Sequence, residues 1–328
     1  IMWNLLFNKN KKNLPNYFSY SQINSYKLCP QQYKLLYVDG IRKDYESIES
    51  YMGKRVHSVL EWLYKPENKE IYINFDRIIK EYDRYWIDNW HSKIFVVSTK
   101  FSRKEKKYLY QHLTDKQLNF YHNQFYSIGK ECLSNYYKEF YPFDQNVFGR
   151  ELELTFSLNE YEKKNEPKFD KVTGKCIKKG IPIKKYPFKG IIDRFDKPYD
   201  EKWEIHDYKT GKRSKTSTQA QNDFQLALYQ IGVRENFKDV GEISLVWHSL
   251  RHNTNITIFH TDKQLYKLEK KIINTLKSIK KDSTNIRNFK PRKDYQKSTL
   301  CNWCPVWEEC IAKVGPNPSY KNLIASPV

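Results

Sequence analysis

The chain has 328 residues, 39% hydrophobic and 29% charged, with 58 lysines and arginines against 38 acidic residues and a formal net charge of +20. No apolar run is long enough to span a bilayer, and the start carries a short apolar patch followed by lysines, the reverse of a secretory signal, so membrane and secreted classes are disfavoured. The basic surplus favours a polyanionic partner, most simply nucleic acid, because binding releases counterions from phosphates.

An intracellular protein, cytoplasmic or nucleoid-associated, is the expectation. The wealth of Lys, Asn, Ile and Tyr also fits AT-rich coding bias, with a phage-encoded origin as one option. That bias does not explain why Asp and Glu fail to keep pace.

Residues 1–18 read as a basic tail. "SYSQINSYKLCPQQYKLLY" (19–37) reads as a short helix, a break at Cys29-Pro30 and a second helix, with Ser21 as the N-cap. "YMGKRVHSVLEWLY" (51–64) is an amphipathic helix with Val56, Leu60 and Leu63 on one face. Further on, Leu118, Tyr121, Phe125, Ile128, Cys132, Tyr136 and Phe140 step by three or four residues and form one apolar stripe. Core packing explains that stripe better than an aromatic nucleic-acid platform, and it makes Cys132 a small buried hydrophobe.

Near residue 148 the period changes to two. "FGRELELTFSL" sets Leu152, Leu154 and Phe156 against Glu151, Glu153 and Thr155, a half-buried strand. A lysine-rich exposed loop or hairpin follows, with a Thr173-Gly174 turn and Cys176 by itself. "FKGIIDRFD" and "WEIHDYKTGK" are two more strands, "QNDFQLALYQIGVREN" is a helix, and "GEISLVWHSL" and "TNITIFH" are strands again. Residues 262–280 form a basic amphipathic helix, and "STLCNWCPVWEECIAKVG" is compact and cysteine-rich. Strands flanked by helices at both ends indicate an α/β core.

Residues two apart on a strand face the same way, so Asp207 and Lys209 share a face with Ile205. Asp193 ends the preceding strand, and a turn at Pro198-Tyr199-Asp200 would bring it beside Asp207. Two adjacent carboxylates repel unless a cation lies between them, and oxygen ligands suit Mg²⁺ or Mn²⁺. A nearby lysine can orient or deprotonate a water and stabilise charge on a phosphate. Together these are the parts for metal-assisted phosphodiester hydrolysis. A hairpin that collects Asp, Lys and Gly for conformational reasons is the competing explanation.

The ordered series Gly53-x-x-x-His57, Gly190-x-x-Asp193-Arg194, Asp207-Tyr208-Lys209-Thr210-Gly211 and Gln225-x-x-x-Tyr229 resembles the PD-(D/E)XK nucleases. Within them it is similar to the RecB-like branch, which includes AddB nuclease domains and the Cas nucleases of CRISPR adaptation. The resemblance covers roughly residues 19–64 and 148–310. It implies a restriction-endonuclease-like α/β core, a central mixed sheet flanked by helices, with a helical insertion and a C-terminal cysteine clasp. The implied nuclease domain runs over 19–310: N-terminal helices (19–64), the insertion (65–145), the catalytic core (146–260), and a C-terminal helix with the clasp (261–310). Residues 311–328 are left as a tail.

Carried onto this sequence, the resemblance implies that His57, Asp193 and Asp207 bind the catalytic Mg²⁺ or Mn²⁺, with the Tyr208 carbonyl as a further ligand. Lys209 is then the catalytic lysine, while Gln225 and Tyr229, one helical turn apart, contact the DNA backbone or support it. Many members have Glu where Asp207 stands; the RecB-like branch commonly uses Asp. Glu151 or Glu153 is a further acidic candidate with no firm match.

The implied activity is a metal-dependent deoxyribonuclease, an exonuclease on single-stranded or frayed DNA ends that works through a metal-activated water and leaves 5′-phosphates. A nucleic-acid-binding or scaffold subunit in a repair or recombination complex and a restriction-type endonuclease are the alternatives. No G-x4-G-K-[ST] motif occurs, so the chain brings no P-loop motor of its own, and a helicase or recombination complex is the partner to consider.

Cys301, Cys304 and Cys310 lie within ten residues of sequence, and Cys29 is 272 positions upstream (301 − 29). Clustered thiolates suit zinc or an iron–sulfur cluster, and the second Cys-x-x-Cys knuckle usual for zinc is missing. The pattern resembles the iron–sulfur clasp of the same branch, which implies a 4Fe-4S cluster with Zn²⁺ as the lesser alternative. Such a clasp is structural and staples the first helix to the C-terminal end.

Overall fold

The computed structural model describes residues 16–238, 240–293, 299–313, 315 and 322–325; most of the expected N-terminal tail and much of the C-terminal one lie outside them. Eight helices are used here: α1 (Tyr20–Leu28), α2 (Pro30–Tyr33), α3 (Ile48–Leu63), α4 (Phe75–Asp88), α5 (Asp115–Phe140), α6 (Ser217–Gln221), α7 (Phe224–Asn236) and α8 (Asp262–Ser283). The strands β1 (Val147–Tyr161), β2 (Pro182–Tyr199), β3 (Lys202–Lys209), β4 (Glu242–Ser249) and β5 (Thr254–Ile258) form one mixed sheet in the order β5-β4-β3-β2-β1. Only β3 and β4 run parallel, and α6 and α7 make the crossover between them.

Strand alternation divides the interior into two layers. On one face, Leu154, Phe156, Phe188, Ile205 and Leu245 pack with Ile23 of α1, Leu228 of α7 and Ile272 of α8. On the other, Tyr208 joins Val56 and Leu60 of α3, Tyr82 of α4, and Ile128 and Tyr136 of α5. The apolar stripe of α5 is buried as its spacing requires, with Tyr121 and Phe140 at its half-buried margins. Cys132 is fully enclosed within it, and burial pushes its thiol up to about 12. The segment expected as a helical insertion therefore forms the second layer of the domain. It also carries a short ribbon, Thr99–Ser102 against Lys107–Tyr110.

Three boundaries differ from the sequence reading. Phe18 is buried and pairs with β2, its amide donating to the Pro187 carbonyl (2.9 Å) and its carbonyl accepting from Lys189 (2.8 Å). That pairing keeps the chain extended up to Ser19, whose Oγ accepts from the Gln22 amide (3.3 Å), so Ser19 caps α1 and Ser21 lies inside the helix. The β2–β3 turn is Asp200-Glu201, because Tyr199 pairs with Lys202. At the other end, part of the expected tail belongs to the body: the Val96 amide donates to the Asn322 carbonyl (3.0 Å), and Ile324 donates to Ile94 (2.9 Å). Asn322 is completely buried and takes the Leu113 amide on its side chain.

Candidate active site

The site forms where β2 and β3 part. Their pairing runs from Tyr199↔Lys202 to Arg194↔His206, and one further step sets Asp193 across from Asp207. There the side chains replace the ladder. The Tyr208 amide donates to Asp193 Oδ2 (2.8 Å), and His57 Nε2 meets the Tyr208 carbonyl at 3.0 Å. A carbonyl only accepts, so Nε2 carries a proton. The His57 Nδ1 lies 3.7 Å from Asp193 Oδ1. Alternation along β2 breaks at this point, since Ile192 and Phe195, three apart, both enter the same core.

Glu151 completes the group. It lies opposite Asp193, between the pairs Leu152↔Ile192 and Arg150↔Arg194, and its φ of 42° is left-handed. Its carboxylate joins His57 and Asp193, the three ligand atoms lying within 4.8 Å of one another. Partial burial, and next the Asp193 charge, push the Glu151 carboxyl up to about 7 although the residue remains open to solvent. Glu153 does not take part; it pairs with Lys189 (2.7 Å) on the surface.

Asp207 stands beside this trio and outside it. It is 1% exposed, and neither carboxylate oxygen accepts a hydrogen bond in good geometry. Lys209 Nζ lies 2.5 Å from Oδ2 as an ion pair whose angles fall short of a hydrogen bond. Burial is the largest influence on Asp207 and raises its carboxyl to about 7, against the opposing pull of Lys209 and with a further push from Asp193. A buried carboxylate whose one partner is a lysine, next to two more carboxylates and an imidazole, fits a divalent cation that accepts oxygen and nitrogen ligands.

The lysine is held from two sides. Gln225 Oε1 accepts from Lys209 Nζ (3.2 Å) while its Nε2 donates to Tyr229 Oη (3.2 Å). The ammonium also sits 4.9 Å from the ring centroid of Trp247, which pairs with Asp207 across β3–β4. Two motif glycines permit these approaches. A Cβ on Gly190 would stand 2.8 Å from the Tyr229 ring, and one on Gly53 would stand 3.0 Å from Thr210 Oγ1.

Arg194 serves the opposite face of the sheet. Its buried guanidinium contacts Asp196 (2.9 Å), Tyr64 Oη (2.9 Å) and Tyr136 Oη, and Tyr136 in turn meets Tyr208 Oη at 3.1 Å. The network locks the residue whose backbone links Asp193 to His57. Asp196, Glu204 and His206 also converge there, but the guanidinium already supplies a cation 3.3 Å from His206.

The structure therefore brings His57, Asp193, Asp207, Tyr208, Lys209, Gln225 and Tyr229 to one place, takes Glu151 of the two further acidic candidates, and adds Trp247 and Asp223, the N-cap of α7. Trp247 was detectable only as an apolar position on a strand.

At the other end of α1, Cys29, Cys301, Cys304 and Cys310 line one apolar cavity of about 140 Å³ with Leu35 and Val306. Gln32 Nε2 approaches Cys304 Sγ at 3.7 Å. Burial pushes the Cys304 thiol up to about 12, with Cys29, Cys310 and Cys301 adding to it.

A central mixed sheet crossed by α6–α7, with its acidic group and lysine where two strands part, defines a nuclease fold of the restriction-endonuclease type. The chain matches the family model of the PD-(D/E)XK nuclease superfamily over residues 17–311, and it belongs to that superfamily, whose members hydrolyse nucleic acids. Among solved structures it is similar to a candidate exonuclease from Eubacterium rectale, at 13% identity and a TM-score of 0.47, covering 96% of this chain and 95% of the other. It is also similar to the protein SSO0001, at 12% identity and a TM-score of 0.29, covering 90% and 96%. Both likenesses are too distant to add to the family assignment. No curated protein matches significantly in sequence. Among the described residues, no helix is long and apolar enough to cross a membrane.

Proposed function

We propose that the protein is a metal-dependent deoxyribonuclease, an exonuclease that acts on single-stranded or frayed DNA ends. The observation that carries the reading is the buried carboxylate of Asp207, paired only with the tethered Lys209 and set beside the Asp193 group. His57, Glu151, Asp193 and Asp207 would hold Mg²⁺ or Mn²⁺, with the free lone pair of the Tyr208 carbonyl available as well. When bound, such an ion supplies positive charge to a phosphodiester oxygen and acidifies water. Lys209 orients the attacking water and stabilises charge on the phosphate, while Gln225, Tyr229 and Trp247 fix its ammonium.

The test is cleavage of labelled single-stranded DNA with Mg²⁺ or Mn²⁺ by the wild type, Asp193→Ala and Lys209→Ala. Each variant is expected to lose at least about a hundredfold in rate. Equal degradation by all three would trace the activity to a contaminant and remove the assignment. Closed circular DNA should survive, and a time course on 5′- and 3′-labelled strands reads the direction of digestion.

The four cysteines are proposed to hold a 4Fe-4S cluster, with no part in the reaction. All four line one cavity, which supports a shared site, and the second Cys-x-x-Cys knuckle usual for zinc is missing from the sequence. Protein purified without oxygen should be brown and contain iron; a colourless, zinc-containing preparation overturns the cluster. The clasp resembles that of end-processing nucleases, which supports a place in DNA repair or recombination beside a helicase.

A further inference from the structure

Next to the tethered lysine lies a polar pocket lined by Tyr20, Lys27, Arg213, Lys215, Asn222 and Phe224, with Asp223 as its only carboxylate. Its three cations against one anion leave a surplus of +2 (3 − 1). Lys215 pairs with Asp223, and its ammonium lies 4.1 Å from the ring centroid of Trp247, the same ring that faces Lys209. Lys27 sits 3.5 Å from the Phe224 ring centroid and has no carboxylate within ion-pair distance among the described residues. Arg213 is exposed and has neither an ion-pair nor a hydrogen-bond partner among the described residues. Two of the three cations therefore have no ion-pair partner among the described residues, and asparagine and serine side chains beside them offer hydrogen bonds.

The pocket is also continuous with the chemistry. Phe224 immediately precedes Gln225, which accepts from Lys209, and Asp223 Oδ1 takes the Gln225 amide at 2.7 Å. Tyr20 is shared with the neighbouring cleft over Gly190, Gln225 and Tyr229. Lys215 of the pocket and Lys209 of the site share the Trp247 ring, so the two are adjacent. Burial lowers the Lys27 pKa, with the Asp223 charge opposing it and Lys271 adding to it.

We infer that this pocket binds a backbone phosphate of the substrate strand, the one neighbouring the phosphate that reacts. The inference rests on the nuclease reading and names a contact that the family motifs do not contain. Phosphate contacts of this kind position a strand without reading its sequence.

The experiment measures binding of a labelled oligothymidylate by fluorescence anisotropy in EDTA, so that cleavage plays no part. Arg213→Ala should weaken binding roughly fivefold at low salt, and the Lys27→Gln/Arg213→Ala pair more than tenfold. The dependence of log K on log salt should become shallower by about 0.7 for each lost contact. Lys238→Ala, on an exposed loop away from the pocket, should leave the slope unchanged. Inorganic phosphate at equal concentration should leave the oligonucleotide bound, and displacement by it would overturn the strand assignment in favour of a free-phosphate site. Arg213 is exposed, so its variant should melt with the wild type; a double variant with wild-type affinity and salt slope overturns the proposal. A wild type that binds but never cleaves refutes the nuclease reading. One that cleaves while the double variant binds unchanged refutes the pocket alone.

Discussion

Glu151 brings its carboxylate into the site through a left-handed backbone, φ 42°, that costs a glutamate about 1–2 kcal/mol. It also sets a negative charge beside Asp193. Without a cation both terms oppose folding; with one, the second becomes attraction. Glu151→Gln should therefore move two quantities in opposite directions. The folded carboxyl lies near 7, above its ordinary value, so its ionisation weakens the metal-free protein as pH rises through that window. At about pH 8 the metal-free variant should melt about 1–2 °C higher than the wild type. Its affinity for Mn²⁺, measured by titration calorimetry, should fall about tenfold or more. A variant that binds Mn²⁺ as well as the wild type removes Glu151 from the ligand set. Neither its strain nor its partner was visible in "RELEL", where alternation made Glu151 and Glu153 equivalent outward residues. The left-handed backbone at Glu151 makes the choice between them.

Among the elements, α7 and β2 meet at the closest approach in the site. Gly190→Ala would put a methyl group 2.8 Å from the Tyr229 ring, and neither element yields without moving Gln225 from Lys209. We expect a loss of about 1–3 kcal/mol in denaturant unfolding and about tenfold in cleavage. Gly211→Ala is the matched control: nothing lies within 4 Å of its added carbon, so stability should stay within about 0.5 kcal/mol. A second element-level device ties α8 to β1, where buried Glu269 accepts the Asn159 amide at 2.6 Å. Burial raises this carboxyl to about 7, against the lowering effect of that hydrogen bond. The folded state thus holds its proton where the unfolded chain has lost it, and stability should decline as pH rises from about 4.5 to about 7 and then level off. Glu269→Gln keeps the acceptor oxygen and should flatten that part of the decline, as read by urea midpoints at about pH 5 and pH 7.5. An undiminished slope in the variant assigns it to other groups.

At the scale of the molecule, what was legible followed local period. The alternation of Ile205, Asp207 and Lys209 placed β3 correctly, and the stripe of α5 showed which of its faces is buried. What covers that face was not legible, because apolar spacing names no partner; the cover is α3, α4 and the back of the sheet. The Phe18 and Asn322 pairings were missed for the same reason, since one or two ladder bonds leave no periodic trace. The cysteines share one cavity, as their spacing suggested, and the proposed clasp would join distant parts of the chain. Holding Cys29 to Cys301 closes 272 positions (301 − 29), for which the chain-entropy relation gives a ceiling of about 5–6 kcal/mol. A clasp that fails when any one ligand is lost predicts strong non-additivity. Cys29→Ser and Cys301→Ser should each lower the melting point by a similar amount and lose the metal, and the double variant should melt no lower than either one. Cys176→Ser, at an exposed thiol outside the cavity, should change neither quantity. Additive losses in the double variant, or a Cys29→Ser protein with wild-type metal content, would show that the two ends of the domain are held by packing alone.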